Sequence, residues 1–303
     1  PGCATMEGDH NTHGAPLPPE EIKNTKINLG LDHDKFYHVS QSVLSDFRES
    51  FHYARTEVEA WNTALKNKLS KDKNFSTDWN ICINNADARI NWPKYDFGEN
   101  IATRKVWGAV IEAMAPKIKT LVGGSADLEP SNVTTGFAEM VKDFNKNNQK
   151  GRNFAYGVRE FPMGAINNGI AQHGGLKVFG ASFFVFSDYE RPAIRMRALQ
   201  KLPVITEYTH DSIFVGEDGP THQPIEQLMS CRSIPNLLVM RPCDANEAVV
   251  ASRIAFEQTK YPSLILLSRQ GLPVLNRNIY TDENEFRKGA YILADYSNNN
   301  KTK

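Results

Sequence analysis

Short apolar runs alternate with amphipathic stretches along the chain from about residue 95 onward. The apolar runs have the length and the β-branched and aromatic content of strands, and they lie at residues 120–124, 153–158, 175–186, 202–209, 236–242 and 262–270. The amphipathic stretches between them have helical spacing and lie at residues 103–117, 160–173, 188–200, 222–232 and 244–259. This alternation predicts βαβ units, and therefore an α/β fold with a mainly parallel sheet and helices on both faces.

The first 90 residues have a different texture, polar and helix-leaning. The stretch PPEEI at residues 18–22 is typical of a helix start, because proline and acidic residues suit the first turn. Residues 42–74 carry apolar side chains at roughly helical spacing, namely Val43, Phe47, Tyr53, Val58, Trp61 and Leu65. We expect these side chains to pack into a core, since an apolar stripe on a helix is usually its buried face.

Composition narrows the class of protein. The 303 residues are 40% hydrophobic and 10% aromatic, which is enough for one large or two ordinary domains. Lys and Arg number 35 and are balanced by 35 Asp and Glu, which removes the broad positive field of a nucleic-acid or anionic-membrane binder. We therefore expect a small-molecule partner, no nucleic acid and no membrane.

Cysteine usage and the absence of long apolar runs indicate the compartment. The four cysteines form no CxxC pair and no metal-ligand cluster, as expected of idle thiols in a reducing environment. No apolar run approaches the ~18–20 residues that span a bilayer, and the N-terminus lacks a signal-peptide pattern. The expected location is the cytoplasm. Two Asn- and Lys-rich stretches, residues 141–153 and 296–303, are expected to be solvated.

Polar clusters follow several of the predicted strands. They read GGSADLEPSN (123–132), GVREF (157–161), HDSIFVGEDGPTHQP (210–224) and SRQ (268–270). In a parallel sheet, ligands gather beyond the carboxyl ends of the strands, so four such loops at one edge would build a pocket. Its wall would carry Asp127, Ser131, Glu160, His210, Asp218, His222 and Arg269.

Taken singly, each of these residues has an ordinary structural role. Asp127 and Ser131 suit a turn and a helix cap, and Glu160 suits a helix N-terminus. A lone histidine is more often structural than catalytic. The aromatic residues at 183, 186 and 189 have the spacing of core side chains. The local pattern of any one cluster therefore leaves its function open.

The order and spacing of the clusters resemble the transketolase family. GGSADLEPSN, GVREF, HGG, SFFVFSDY, THDSIFVGEDGPTHQPIEQL, RPCDANE and LSRQ are similar to the pyrimidine-binding domain of that family, in the same order. NTHGAPL (11–17) is similar to the end of the preceding diphosphate-binding domain, and ATRK (102–105) to the start of the pyrimidine domain. The resemblance spans roughly residues 8–290. One departure is Phe214, which stands where the family pattern has glycine and would either narrow the substrate channel or pack beneath its loop.

The resemblance implies a domain division and a piece of a longer enzyme. Residues 1–92 are expected to be the end of the diphosphate-binding domain with a helical linker, 93–290 the pyrimidine-binding domain, and 291–303 the start of a linker to a further domain. The family binds its divalent cation, Mg or Ca, through a GDG segment followed by Asn, and this chain has no such segment. No metal ligand is therefore assigned to its residues.

The resemblance also implies a set of cofactor and substrate contacts. Thiamine diphosphate is expected to contact Glu160, Phe183, Phe186, Tyr189, Asp127 and His13. Catalytic roles are implied for Glu160, which activates the cofactor, and for His222 and His13, which exchange protons with substrate oxygens. Sugar phosphates are expected to contact Arg104, Ser131, His210, Asp218, His222 and Arg269.

The implied activity is transfer of a two-carbon ketol unit from a ketose phosphate to an aldose phosphate. The chain alone is expected to be inactive, because the family cofactor lies between two subunits of a homodimer and half of that site is missing here. Dihydroxyacetone synthase and deoxyxylulose-phosphate synthase share the domain plan and remain alternatives. A noncatalytic association module is an alternative of a different class.

Overall fold

The computed structural model describes residues 2–84 and 87–295. The chain forms two compact units, Pro1–Asp72 and Lys73–Lys303. The solvated stretch expected at residues 296–303, and with it most of the expected linker, lies outside the described residues. The domain boundary at residue 92 stays a prediction.

The first unit is helical. It contains a 3₁₀ turn at His10–Thr12 and the helices α1 (Pro19–Asn28) and α2 (Gln41–Lys71). Proline at the first position starts α1, and the Ser40 hydroxyl caps α2 by accepting a hydrogen bond from the amide of Val43. The expected helices are thus present, and the second is longer than a typical globular helix.

The expectation that the apolar stripe of α2 forms a core is wrong within this unit. Val43, Phe47, Tyr53, Val58 and Trp61 have 43–69% of their surface exposed, and Leu65 is half-buried. The described part of the unit supplies one further α-helix and a 3₁₀ turn, which is too little chain to cover a helix of 31 residues. Periodicity identified the helix correctly and did not show what lies against its apolar face.

The second unit is built on a five-stranded parallel sheet, as the alternating pattern predicts. The chain order of its strands is β2 (Leu121–Ser125), β3 (Lys177–Phe183), β4 (Ile205–Thr209), β5 (Leu238–Met240) and β6 (Ser263–Leu266), and their spatial order is β2-β3-β4-β6-β5. A separate antiparallel pair joins β1 (Asn100–Ala102) to β7 (Gly271–Pro273).

Helices cover both faces of the sheet. They are α3 (Lys73–Cys82), α4 (Thr103–Met114), α5 (Glu129–Asn132), α6 (Thr135–Val141), α7 (Glu160–His173), α8 (Ser187–Gln200), α9 (Gln227–Arg232) and α10 (Ala245–Glu257). Alternate strand residues point to opposite faces. Ile205 and Ile265 pack with α4 and α10 around the fully buried Trp107, whereas Tyr208 and Leu264 pack with the other apolar cluster, around Phe184 of the chain entering α8.

The prediction of a strand at residues 153–158 is wrong. This segment runs beside β2, and the amide of Phe154 donates to the Gly123 carbonyl at 2.9 Å, but it does not form a regular ladder. A Cβ on Gly124 would lie 2.2 Å from the Phe154 carbonyl oxygen, so only glycine permits this close approach. The segment serves instead to carry the chain along the sheet to the start of α7.

Candidate functional site

Four adjacent strands of the sheet end at the same edge. The spatial order β2-β3-β4-β6 puts their carboxyl ends, at Ser125, Phe183, Thr209 and Leu266, side by side. The loops that leave these ends carry three of the polar clusters, at residues 123–132, 210–224 and 268–270, whereas the cluster at 157–161 follows the segment that runs beside β2. Sheet topology therefore gathers motifs that are distant along the chain, as expected at the carboxyl edge of a parallel sheet.

A cleft of about 580 Å³ opens at this edge. Its lining residues are Ala126, Asp127, Leu128, Val158, Glu160, Phe186, Tyr189 and His222. Apolar and aromatic side chains form most of the wall, and two carboxyl groups and one imidazole supply polar contacts. This combination suits a flat heteroaromatic ring with polar edges.

Glu160 is the first residue of α7, and only 8% of its surface is exposed. The chain turns into this position through Gly157, whose φ of +67° favours glycine. Within residues 2–84 and 87–295, no group forms a hydrogen bond or ion pair with the carboxyl, so it is available to a ligand in the cleft.

The three predicted aromatic residues divide between the cleft and the layer behind it. Phe186 and Tyr189 line the cleft, whereas Phe183 is buried and is not part of the lining. The rings of Phe183 and Phe186 are parallel within 4°, with centroids 6.0 Å apart. His222 meets both rings edge-on, at 6.0 and 5.4 Å. These rings fix the imidazole of His222 at the wall of the cleft.

Phe183 connects the cleft to His210. The two rings stack with centroids 3.7 Å apart, and His210 is 98% buried in a left-handed conformation with φ of +57°. Its Nε2 lies 3.7 Å from the Asp218 carboxylate. Burial, followed by the positive charge of Arg104, lowers the pKa of His210 from 6.5 to about 4. The imidazole is therefore neutral near pH 7.

Two arginines lie together beyond His210, although 165 positions separate them in the sequence. Paired hydrogen bonds hold the start of α4 against the end of the sheet: the amide of Thr103 donates to the Ser268 hydroxyl at 3.1 Å, and the amide of Ser268 donates to the Thr103 hydroxyl at 2.7 Å. The next residues in each segment are Arg104 and Arg269. Burial and the charge of Arg269 lower the pKa of Arg104, which stays protonated.

Each arginine has its own anchor. Nη1 of Arg104 donates to the Ser131 carbonyl oxygen at 2.9 Å. Arg269 contacts the Glu217 carboxylate at 3.1 Å and that of Asp218 at 3.5 Å. A Cβ on Gly216 would lie 3.2 Å from the Arg269 guanidinium, so glycine lets the loop backbone run against it. The two guanidinium groups, with His210 and Ser131 beside them, form a cluster of donors suited to a phosphate.

The outcome for two further predicted features, His13 and Phe214, is as follows. His13 belongs to the first unit, where it is exposed at the end of the 3₁₀ turn and its amide donates to the His10 carbonyl. Phe214 lies in the loop after β4 with 67% of its surface exposed, so its ring does not pack beneath the loop. Asp32, His33 and Asp34 are close enough to share an ion, but they are consecutive surface residues and we assign them none.

The sequence reasoning missed two buried polar groups behind the site. Glu207, in the middle of β4, is fully buried and accepts a hydrogen bond from Asn132 at 2.9 Å. Glu190 and Arg197 of α8 form a fully buried ion pair. The available signal was a lone acidic residue inside the strand-like run LPVITEYT. An acidic residue seldom occurs in a central strand without a partner or a function.

Family comparisons cover most of the chain. Residues 99–274 match the family described as "Transketolase, pyrimidine binding domain", and residues 1–84 match "Transketolase, thiamine diphosphate binding domain". The transketolase of Halalkalibacterium halodurans is 42% identical over 297 residues, which are 97% of this chain and 44% of that protein. The transketolase of Bacillus subtilis is 40% identical over 302 residues, 98% of this chain and 45% of that protein. The chain thus spans less than half the length of these relatives.

Solved structures agree with the sequence comparisons. A Pichia stipitis transketolase in complex with sedoheptulose 7-phosphate superposes with a TM-score of 0.83 at 36% identity, over 94% of this chain and 43% of that one. A Campylobacter jejuni transketolase superposes with a TM-score of 0.79 at 40% identity, over 93% and 42% of the two chains. Among the described residues of this chain, no helix has both the length and the apolarity to span a membrane.

Proposed function

The chain belongs to the transketolase family, and from that premise we propose that it contributes the pyrimidine-binding half of a transketolase active site. The reaction is transfer of a two-carbon ketol unit from a ketose phosphate to an aldose phosphate. The observation that carries the proposal is the series of contacts that joins the Glu160 cleft to the arginine side of the site. His222 of the cleft meets Phe183, Phe183 stacks on His210, and Asp218 contacts both His210 and Arg269. A sugar phosphate needs a reactive centre at one end and a cationic pocket at the other.

The cleft suits the aminopyrimidine of thiamine diphosphate. Phe186 and Tyr189 offer ring faces for stacking, with Phe183 supporting Phe186 from behind, and Glu160 is a buried carboxyl that bonds to none of the described residues. When bound, thiamine diphosphate supplies the nucleophilic carbon that the reaction needs. We assign Glu160 the role of hydrogen-bonding the ring nitrogen of the pyrimidine through its carboxyl group.

Proton exchange with substrate oxygens falls to the histidines. His222 lies at the cleft wall, and its Nδ1 is hydrogen-bonded to the Thr221 hydroxyl at 2.9 Å. This hydrogen bond fixes the orientation of the imidazole ring. An imidazole suits transfer to and from alkoxides near neutral pH. We assign His13 a similar role and Asp127 a contact to cofactor or sugar hydroxyls, both on the family resemblance. Asp127 lies in the cleft lining.

The distal pocket is proposed as the phosphate clamp. Arginine presents a planar fork that matches phosphate oxygens, and the Ser131 and His210 side chains add polar contacts beside it. Asp218 contacts both His210 and Arg269, so its carboxylate orients the clamp and is placed to accept from a sugar hydroxyl. Paired arginines favour phosphorylated sugars, as transketolase requires on both donor and acceptor.

The remaining partners follow from the same family assignment. We propose that the active protein is a homodimer in the cytoplasm, with the cofactor between subunits. We propose that the divalent cation, Mg or Ca, is bound by residues of the full-length enzyme that are not among these 303. Dihydroxyacetone synthase is distinguished by its acceptor, so rates should be compared along a series of aldehydes from formaldehyde to ribose 5-phosphate.

The decisive experiment uses the protein as its gene encodes it. Xylulose 5-phosphate and ribose 5-phosphate should be converted in the presence of thiamine diphosphate and magnesium. Glu160→Gln keeps the shape but cannot share its proton, so exchange of the acidic thiazolium proton, followed by NMR, should slow by orders of magnitude. Wild-type exchange in this variant would remove Glu160 from the mechanism.

A further inference from the structure

Glu207 occupies a position where a carboxyl is costly. It lies in the central strand β4, which pairs with β3 on one side and β6 on the other, and its side chain has no exposed surface. Oε2 accepts one hydrogen bond, whereas Oε1 has no partner among the described residues. Burial accordingly raises the pKa of Glu207 well above 4.5. A buried carboxyl with an unsatisfied oxygen gives the fold little stability, so its presence calls for another reason.

The single hydrogen bond of Glu207 leads directly to the phosphate clamp. Its donor is Nδ2 of Asn132, the last residue of α5, which also donates to the Ser182 carbonyl at 2.9 Å. The Asn132 amide oxygen accepts from the Ser125 hydroxyl at 2.7 Å. Asn132 thus joins α5 to the ends of β2, β3 and β4, with Glu207 as the contact to β4.

The residue before Asn132 holds Arg104. The Ser131 carbonyl oxygen accepts from Nη1 of Arg104, and this is the only hydrogen bond of that guanidinium to the described residues. Nε of Arg104 is buried and has no hydrogen-bond acceptor in the part of the chain that the structure describes. The position of the Ser131 carbonyl, and with it the orientation of Arg104, therefore depends on how firmly α5 is fixed.

We propose that Glu207 is a positioning residue of the phosphate clamp, which orients Arg104 through Asn132 and the Ser131 carbonyl. The inference rests on the proposed function only in naming a sugar phosphate as the ligand. Glu207 does not touch that ligand, because it lies beneath the clamp inside the sheet.

The test compares two substitutions of Glu207 in the protein as its gene encodes it. Glu207→Leu removes the acceptor that β4 offers to Asn132, whereas Glu207→Gln keeps an acceptor there. Glu207→Leu should raise KM for xylulose 5-phosphate about 10-fold, at the low end of the loss of one charge-assisted contact, with kcat little changed. Glu207→Gln should raise it less. Kinetics with hydroxypyruvate and an unphosphorylated acceptor should stay at the wild-type level in both.

Two controls separate positioning from a general packing defect. Thr206→Val changes the adjacent buried residue of β4, whose hydroxyl accepts from Arg197 on the other face of the sheet, and it should leave KM for phosphorylated sugars unchanged. In an Arg104→Ala background, Glu207→Leu should have no further effect on KM, because the residue through which it acts is gone. The proposal would be overturned if Glu207→Leu impaired the kinetics with hydroxypyruvate as much as those with xylulose 5-phosphate. It would also be overturned if the effects of Glu207→Leu and Arg104→Ala on KM were additive.

Binding measurements keep this inference separate from the proposed activity. Calorimetric titration of the cofactor-free protein with ribose 5-phosphate should show about 10-fold weaker binding for Glu207→Leu than for wild type, and no difference with ribose. If the wild-type protein lacks ketol transfer but this difference is found, the proposed function fails and the role of Glu207 stands. Ketol transfer with equal phosphate binding in wild type and Glu207→Leu would overturn the role of Glu207 alone.

Discussion

At the scale of single residues, the site depends on where charge is buried. His210, Glu207 and Arg104 lie within a few residues of the strand and helix ends that meet at the carboxyl edge. Burial disfavours the charged form of each group, and neighbouring charges then decide how far each pKa moves. His210 is held neutral beside two guanidinium groups, which leaves the positive charge of the pocket to the arginines.

The first prediction concerns the arginine at the open side of the clamp. Arg269→Ala removes a charge-assisted contact to the phosphate, worth about 1.5–3 kcal/mol or roughly 10- to 150-fold in affinity. The loss should appear mainly as a higher KM for phosphorylated sugars in steady-state kinetics. Hydroxypyruvate, which has no phosphate, is the internal control. Equal loss for hydroxypyruvate and xylulose 5-phosphate would make Arg269 structural or catalytic instead.

The second prediction is a pH dependence of stability from His210. The pKa of its imidazole is lowered from 6.5 to about 4 in the folded protein, so between these values the unfolded chain binds more protons. The free energy of unfolding should therefore fall as the pH is lowered from about 7 towards 4. Denaturant titrations of this chain at several pH values give the measurement.

The control for this pH dependence is His210→Asn, because asparagine tolerates the left-handed backbone at φ of +57° and does not titrate. Glu207 has the opposite effect on the free energy of unfolding. Its raised pKa makes the folded state bind more protons than the unfolded state, so the stability it contributes is lost as the pH rises. The difference between wild type and His210→Asn isolates the histidine. An unchanged slope in the variant would show that His210 is not the cause.

At the scale of elements, α8 is attached to the sheet by polar as well as apolar contacts. Arg197 forms a buried ion pair with Glu190 of the same helix and donates to the Thr206 hydroxyl of β4, and the Tyr208 hydroxyl donates to Glu190. Gly164 of α7 lies against this pair, where a Cβ would be 2.7 Å from the Glu190 carboxylate. The network joins the helix that begins at the aromatic wall of the cleft to the strand that leads to His210.

The third prediction compares the removal of one charge of the buried Glu190–Arg197 pair with the removal of both. Arg197→Met leaves Glu190 buried without its cation and should lower the free energy of unfolding by about 3–5 kcal/mol. Combining it with Glu190→Leu and Tyr208→Phe removes both buried charges and the tyrosine hydroxyl that contacts them, and stability should return to within about 1 kcal/mol of wild type. Denaturant unfolding measures both. A triple variant no more stable than the single one would show that the network itself holds α8 in place.

At the scale of the whole chain, two units differ in how their apolar residues are covered. The sheet unit buries its large side chains, such as Trp107 and Phe179, completely. In the helical unit, the aromatic side chains of α2 remain largely exposed. A contiguous exposed apolar face of this kind indicates a surface that another part of a protein covers.

The fourth prediction concerns the activity of the 303-residue chain alone. It lacks the GDG-to-Asn segment that the family uses for the metal and diphosphate, so it should neither bind thiamine diphosphate tightly nor convert xylulose 5-phosphate. Calorimetry with thiamine diphosphate and magnesium, and a coupled assay, provide the measurement. Ordinary turnover by the purified chain would contradict the division of the active site that we propose.

The sequence by itself determined the fold class and the order of its elements. Alternating apolar and amphipathic runs gave the five parallel strands, and the helix predicted at 160–173 begins and ends at those residues in the structure. Local periodicity suffices here because burial of one face is a property of each element. The positions of the polar motifs could also be predicted, because turn residues and charged groups after a strand are recognised without long-range information.

Only the tertiary structure decided which of these motifs meet. Arg104 and Arg269 lie side by side because Thr103 and Ser268 exchange hydrogen bonds, a contact between segments that no local pattern relates. The failed strand at 153–158 and the exposed stripe of α2 have the same origin, since a local pattern gives an element its type and not its neighbours. Glu207 is the clearest case. In the sequence it is one glutamate among many, and only the folded structure shows that it is completely buried beneath Asn132 and Arg104. Burial and electrostatic environment depend on all the surrounding elements at once, and for that reason they emerge only when the chain is folded.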